Sequence, residues 1–131
     1  MRKKILVVED DEHQRYMLKV ALEGAGYSVV MALSAEQALS YMKVAPVDLV
    51  ILDVMLAGHM DGLQALSALK ETEVPDTTPV IVVSAHLSDQ RIRELLEAGA
   101  VLYMAKPYDI HILLKSVRGI LAAQEEQLCP S

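Results

Sequence analysis

Five polar side chains that could share one reaction follow four short apolar stretches of this sequence. In chain order they are Glu9, Asp10, Asp53, Ser84 and Lys106. Three carboxylates held together repel one another and require a cation, and hard oxygen ligands suit Mg²⁺ better than a transition metal. A lysine and a hydroxyl nearby would hold an anion that the metal brings in. These are the parts of a phosphoryl-transfer site in which a carboxylate is the nucleophile.

The position of Asp53 follows from the residues before it. Leu49 to Leu52 form an apolar run that suits a strand buried on both faces of a parallel sheet. An ionised Asp is too costly to bury inside such a strand, but it can lie at the carboxyl end. Ligands bind at that end in open α/β sheets. The sequence therefore places Asp53 at a binding site before any motif is considered.

Strand and helix patterns alternate along the whole chain. The predicted strands are Lys4–Val8, Tyr27–Ala32, Asp48–Asp53, Val80–Val83 and Val101–Met104. The first predicted helix ends at about Glu23, and the second begins at the capping box Ser34 to Gln37. The third follows Asp61-Gly62, the fourth spans Asp89–Ala98, and the fifth starts at a cap on Asp109. Right-handed crossovers then give an α/β fold, an open parallel sheet with helices on both sides. Parallel strands bring the five polar side chains to one edge of that sheet.

Composition limits the class of protein. With 131 residues, 53% hydrophobic content and no Trp or Phe, the chain suits one domain with an aliphatic core. We predict a domain over residues 1–122, and a tail or the start of a linker over 123–131, where the apolar periodicity is lost. The net charge of −6, with no basic block longer than Arg2-Lys3-Lys4, argues against nucleic acid as a partner.

The sequence also gives no indication of a signal peptide or a membrane helix. Met1 precedes a strand pattern by only a few residues, so we predict no signal peptide. The apolar runs are shorter than the roughly 18 residues of a membrane helix. The one cysteine, Cys129, cannot form an internal disulfide, and we interpret it as inert. Together these features predict a cytoplasmic location.

The motifs at the four strand ends, taken together, resemble the receiver domain of two-component response regulators over about residues 3–122. The resemblance implies a flavodoxin-like, doubly wound sheet with strand order 2-1-3-4-5. It also implies that Asp53 is the phosphoacceptor. Asp10 corresponds to a direct Mg²⁺ ligand, Glu9 to a ligand acting mainly through water, and the backbone carbonyl of Met55 to a third ligand.

Further residues take their roles from the same resemblance. Ser84 corresponds to the hydroxyl that turns toward the phosphoryl group, and Lys106 to the lysine that pairs with it. The peptide bond before Pro107 is cis in such domains, which X–Pro bonds allow at low cost. Tyr103 corresponds to a switch aromatic that moves inward; the alternative is a tyrosine that packs near the strand end with its hydroxyl in water.

The resemblance also predicts partners. A sensor histidine kinase or a histidine phosphotransfer protein would supply the phosphoryl group. The face of the fourth helix, fifth strand and last helix would then change its affinity for a downstream effector protein or for a covalently linked output domain. A domain acting alone and an N-terminal module of a longer regulator both fit, and neither involves direct nucleic acid or membrane contact by this domain.

Two departures from the family pattern have consequences. The loop after the acceptor, Leu56 to Gly62, lacks the usual proline and is one residue longer. We expect this change to affect the rigidity of the loop and not the chemistry. Val101 and Leu102 stand where receivers joined to winged-helix domains usually carry two acids. We therefore predict that a dimer held by ion pairs on that face is absent.

Other functions fit the residues less well. A dehalogenase-type phosphatase needs a second Asp two residues after the nucleophile, where this chain has Met55. A flavodoxin-like cofactor binder needs a Ser-, Thr- or Gly-rich phosphate loop, where the acidic run Glu9 to Glu12 stands. His86 is either a surface residue or an influence on acyl phosphate hydrolysis. The other histidines share no ligand spacing and are interpreted as surface residues: His13, His59 and His111.

Overall fold

A five-stranded parallel sheet forms the centre of the molecule. The computed structural model describes residues 2–54, 62–72 and 78–128. The strands are β1 Lys4–Val8, β2 Ser28–Ala32, β3 Leu49–Asp53, β4 Val80–Ser84 and β5 Leu102–Ala105. Their order across the sheet is β2-β1-β3-β4-β5, with every neighbouring pair parallel. The fold class and strand order expected from the sequence are confirmed.

Helices cover both faces of the sheet. Within the described ranges they are α1 Glu12–Gly24, α2 Ala35–Val44, α3 Gly62–Thr72, α4 Asp89–Glu97 and α5 Ile110–Leu128. Buried residues of α1 and α5 pack in one core cluster, and those of α2, α3 and α4 pack in another. Successive residues of a central strand, such as Ile51 and Leu52, belong to opposite clusters. This is why β1, β3 and β4 are apolar without alternation.

The helix starts that the sequence indicated are present. Ser34 Oγ accepts a hydrogen bond from the Gln37 N–H at 3.2 Å, and Gln37 Oε1 accepts one from the Leu33 N–H at 2.7 Å. Asp109 Oδ1 accepts one from the His111 N–H at 2.8 Å. These side chains satisfy N–H groups that have no partner inside the helix.

The last helix extends into the carboxyl-terminal region. The lost periodicity predicted a tail or the start of a linker over residues 123–131, and in the structure α5 continues through Leu128. Ala, Gln and Glu have high helix propensity, and the backbone ladder does not need an apolar face. Lys3 Nζ also lies 3.3 Å from Glu125 Oε1. The domain boundary at residue 122 stays a prediction. None of the helices within the described ranges is long and apolar enough to cross a membrane.

Candidate phosphoryl-transfer site

The register of the strands brings the predicted site residues to one edge. Asp53 at the end of β3 is aligned with Val83, and Ser84 at the end of β4 is aligned with Ala105, the residue before Lys106. The last pair that β1 makes with β3 joins Val8 and Leu52. Glu9 therefore lies one step beyond the ladder, beside Asp53.

Three of the predicted residues form a carboxylate cluster. One oxygen from each of Glu9, Asp10 and Asp53 lies within 4.8 Å of the other two. Glu9 and Asp53 are buried, at 2% and 4% exposure, whereas Asp10 is exposed. The cluster is therefore enclosed on the sheet side and open to water on the side of Asp10. An all-oxygen donor set with room for water suits a hard divalent cation such as Mg²⁺.

Lys106 lies against the two buried carboxylates. Its Nζ is 2.6 Å from Asp53 Oδ2 and 2.8 Å from Glu9 Oε1, and its side chain is 20% exposed. The position of this side chain is set by the end of β5, where the Lys106 N–H donates to the Ser84 carbonyl at 2.6 Å. The Lys106-Pro107 peptide bond is cis, as predicted.

Burial and close charges change the acid–base properties of the pair. Burial raises the pKa of Glu9 to about 7; the bond from Lys106 opposes this change, and the nearby Asp53 carboxylate adds to it. Burial lowers the pKa of Lys106, but its bonds to Asp53 and Glu9 outweigh that effect and the pKa is raised overall. Lys106 is therefore a stable cation next to the Asp53 carboxylate.

The two residues assigned to switching differ in their contacts. Ser84 is fully buried, and its Oγ has no hydrogen-bond partner among the residues that the structure describes. Tyr103 packs its ring partly against the core cluster of α2, α3 and α4, and its hydroxyl donates to the Ala85 carbonyl at 3.1 Å. The Ser84 hydroxyl is thus available for a new partner, while that of Tyr103 is bonded near the surface.

Several predicted residues lie elsewhere or cannot be placed. His13, His86 and His111 are exposed, as the surface interpretation expected. Met55, with the carbonyl assigned to the metal, lies outside the described residues, as do His59, Cys129 and most of the loop from Leu56 to Gly62.

One contact of the site was not anticipated from the sequence. Arg15 in α1 donates from Nη1 to the backbone carbonyl of Glu9 at 3.0 Å. An arginine on an exposed amphipathic helix gives no signal by itself. Only its place one helical turn after Asp11 could have indicated that it lies beside the acidic turn.

Comparison with known proteins agrees with this geometry. A sequence model of the response regulator receiver domain matches residues 5–118. This chain belongs to that family. It is a receiver domain of the two-component response regulators, and the phosphatase alternative has no support in the comparisons.

Relatives of this receiver domain include two curated regulators and a solved structure. The chain is 35% identical to transcriptional regulatory protein ZraR of Salmonella typhimurium over 122 residues, which cover 93% of this chain and 27% of that protein. It is 38% identical to transcriptional regulatory protein CpxR of Escherichia coli over 118 residues, covering 90% and 49%. The chain thus spans about half the length of CpxR and about a quarter of the length of ZraR. A CheY-like receiver domain structure from Methanospirillum hungatei JF-1 superposes with a TM-score of 0.90 at 28% identity, covering 97% of this chain and 99% of that one.

Proposed function

We propose that Asp53 of this receiver domain accepts a phosphoryl group from a phosphohistidine, in a reaction that depends on Mg²⁺. The observation that supports this most directly is the surroundings of Asp53. Its carboxylate lies at the carboxyl end of β3 with the Lys106 ammonium at 2.6 Å, and two further carboxylates supply oxygens within 4.8 Å. A nucleophilic carboxylate, a cation and a metal-binding acid pair are what transfer to an aspartate requires.

In this proposal each residue has a defined task. An oxygen of Asp53 forms a bond to phosphorus while the bond between phosphorus and the histidine nitrogen breaks, and the electron pair of that bond stays on the nitrogen. Glu9, Asp10, Asp53 and the Met55 carbonyl would hold Mg²⁺, which when bound supplies positive charge to the phosphoryl oxygens. Lys106 pairs with one of these oxygens and Ser84 donates a hydrogen bond to another. The product is an acyl phosphate.

The state of the hydroxyls supports a role in switching. The buried Ser84 Oγ has no partner within the described part of the chain, so a phosphoryl oxygen on Asp53 would give it one. A shift of Ser84 would leave space into which the Tyr103 ring moves, breaking its bond to the Ala85 carbonyl. The face formed by α4, β5 and α5 would then change its affinity for a partner.

The wider role follows from the same chemistry. We propose a sensor histidine kinase or a histidine phosphotransfer protein as the donor, a cytoplasmic location, and no turnover of a substrate beyond phosphorylation and dephosphorylation of the domain itself. A downstream effector protein and a linked output domain both remain candidates for the output. The full reading frame from which the chain derives distinguishes them.

Intact-mass measurement after incubation with Mg²⁺ and acetyl phosphate tests the chemistry. We expect one phosphoryl adduct on the wild-type chain and none on Asp53→Ala. Asp48→Asn provides a matched control, because it changes the acid just before the other end of β3, where Asp48 Oδ2 accepts from the Lys4 N–H at 2.7 Å. This variant should keep the adduct. A wild-type chain without an adduct, or an equal adduct on Asp53→Ala, would reject the proposal.

A further inference from the structure

The turn between β1 and α1 carries two of the three carboxylates and is held by several hydrogen bonds. The Glu9 N–H donates to the Ala32 carbonyl at 3.1 Å, and the Asp11 N–H donates to Glu9 Oε2 at 3.2 Å. Asp11 then caps α1, since its Oδ1 accepts from the Gln14 N–H at 2.9 Å. The conformation of this turn decides where Asp10, in its middle, presents its carboxylate.

Arg15 completes this set of bonds. Its Nη1 donates to the Glu9 carbonyl, which lies beyond the last pair of the β1–β3 ladder, in a residue that is 2% exposed. A buried carbonyl outside a ladder needs another donor. The guanidinium supplies a charge-assisted hydrogen bond from α1, so it connects the helix directly to the turn that carries the carboxylates.

From this contact we infer that Arg15 is a positioning residue for the cation site, holding the Glu9–Asp11 turn so that Asp10 faces Glu9 and Asp53. The inference rests on the proposed function, since it assumes that these carboxylates bind Mg²⁺. Arg15 does not contact the metal in this view. It acts through the backbone of Glu9, in the way that outer groups orient the ligands of metal sites.

The charge of Arg15 makes the inference testable, because two possible roles predict opposite changes in Mg²⁺ affinity when Arg15 is neutralised. A positive charge near a cation site weakens cation binding, so a purely electrostatic role predicts that neutralising Arg15 tightens the binding of Mg²⁺. A positioning role predicts the opposite, because the loosened turn must be ordered again when Mg²⁺ binds. Loss of a group that orients metal ligands commonly weakens affinity by about 10- to 100-fold.

The experiment is a calorimetric titration of the full chain with Mg²⁺, with the thermal unfolding midpoint measured in parallel. We expect Arg15→Met to bind Mg²⁺ about tenfold more weakly than the wild type, or weaker still. Arg15→Lys keeps the charge and one donor, and it should bind more tightly than Arg15→Met. Arg15→Gln, too short to reach the Glu9 carbonyl, should resemble Arg15→Met and serves as the second variant if Arg15→Met does not fold.

Lys19→Met is the matched control for charge. Lys19 lines the same open groove beside α1 as Arg15, one turn further along the helix. Its neutralisation should leave Mg²⁺ affinity unchanged or slightly increased. A merely structural role of Arg15 would lower the unfolding midpoint without changing the affinity of the folded protein.

Three results would overturn the inference: equal or tighter Mg²⁺ binding by Arg15→Met and Arg15→Gln, no recovery in Arg15→Lys, or an equal loss in Lys19→Met. A wild-type chain that binds no Mg²⁺ would instead reject the proposed metal site, and the role of Arg15 with it. The two failures are therefore distinguishable.

Discussion

The buried hydroxyl of Ser84 lowers the stability of the folded protein. A hydroxyl removed from water without a hydrogen bond destabilises the folded protein, and Ser84 Oγ has no partner among the described residues. Thr78 provides the contrast, because its buried Oγ1 donates to the Val47 carbonyl at 3.3 Å. In the proposed function, Ser84 would gain a hydrogen-bond partner when Asp53 carries a phosphoryl group, so its lack of one here is what the proposal expects.

Ser84→Ala tests this difference. We expect the free energy of unfolding, measured with urea in the absence of Mg²⁺, to stay constant or rise by up to about 1 kcal/mol. The control Thr78→Val removes a paired hydroxyl and should lower it by about 1 kcal/mol. Ser84→Ala should also shorten the lifetime of the phosphoryl adduct. A stability loss in Ser84→Ala equal to that in Thr78→Val would contradict the interpretation.

Glu9 gives the metal-free protein a pH dependence. Its pKa is raised from 4.5 to about 7, first by burial. A carboxyl group whose pKa is higher in the folded state contributes stability that is full below about pH 4.5 and is lost as the pH rises through about 7. We expect the wild type to lose on the order of 1–3 kcal/mol relative to Glu9→Gln across this range.

Urea unfolding of both proteins at several pH values between 4 and 8, with a chelator present, checks this expectation. Glu9→Gln mimics the protonated side chain, so the difference between the proteins isolates the titration of Glu9. A difference that stays constant across the range would show that folding does not shift the pKa of Glu9.

At the residue scale the sequence predicted the side chains that end strands and missed the one that supports them. Asp53, Ser84 and Lys106 could be placed because an apolar run fixes where a strand stops and parallel strands stop at the same edge. The contact of Arg15 with Glu9 depends on the direction of a long side chain across a turn. No periodicity encodes that direction.

Among the elements, α5 shows which part of a helix the sequence specifies. Leu113, Val117 and Leu121 are buried, as their spacing predicted. The apolar pattern does not fix where the helix ends, because backbone bonding and high helix propensity continue beyond Leu121 to Leu128. Strand ends were also shifted by a residue, as in β5, which begins at Leu102 and not at Val101. The apolar pattern of the sequence therefore specifies the buried face of a helix or strand better than it specifies where that element begins and ends.

Two neighbouring residues of α5 test this assignment of its faces. Leu113 is fully buried, whereas Ile112 is 56% exposed. Leu113→Ala should lower the free energy of unfolding by about 2–5 kcal/mol, because it leaves a cavity between α5 and the sheet. Ile112→Ala should change it by about 0.5 kcal/mol or less. Urea titrations of both variants provide the comparison, and similar losses would mean that the buried face is assigned wrongly.

At the scale of the whole molecule, apolar side chains are exposed at the edge of the sheet formed by β5, where other receiver domains could form ion pairs between two copies. Leu96 of α4, Val101 before β5 and Ile112 of α5 are exposed at 41%, 48% and 56%. The resemblance to receiver domains predicted that α4, β5 and α5 meet at this edge. It could not show how far each side chain extends into solvent, since that depends on how the helices pack.

The oligomeric state should reflect this apolar edge. With Val101 and Leu102 in place of acids, we expect no phosphorylation-dependent dimer that high salt dissociates. Sedimentation of the chain with and without acetyl phosphate and Mg²⁺, at about 0.1 M and 1 M salt, tests this expectation. The Debye length falls from about 10 Å to about 3 Å between these salt concentrations, so ion pairs between two copies are weakened. A dimer that forms on phosphorylation at low salt and dissociates at high salt would contradict the prediction.

The ammonium group of Lys106 joins carboxylates that are far apart along the polypeptide. It lies 97 residues from Glu9 and 53 from Asp53 in sequence. During synthesis on the ribosome, the Asp53 carboxylate therefore emerges well before the cation that neutralises it. A nascent chain that stops short of β5 carries the acidic residues without their counter-charge, so the ability to receive a signal arises only when nearly the whole domain has been made.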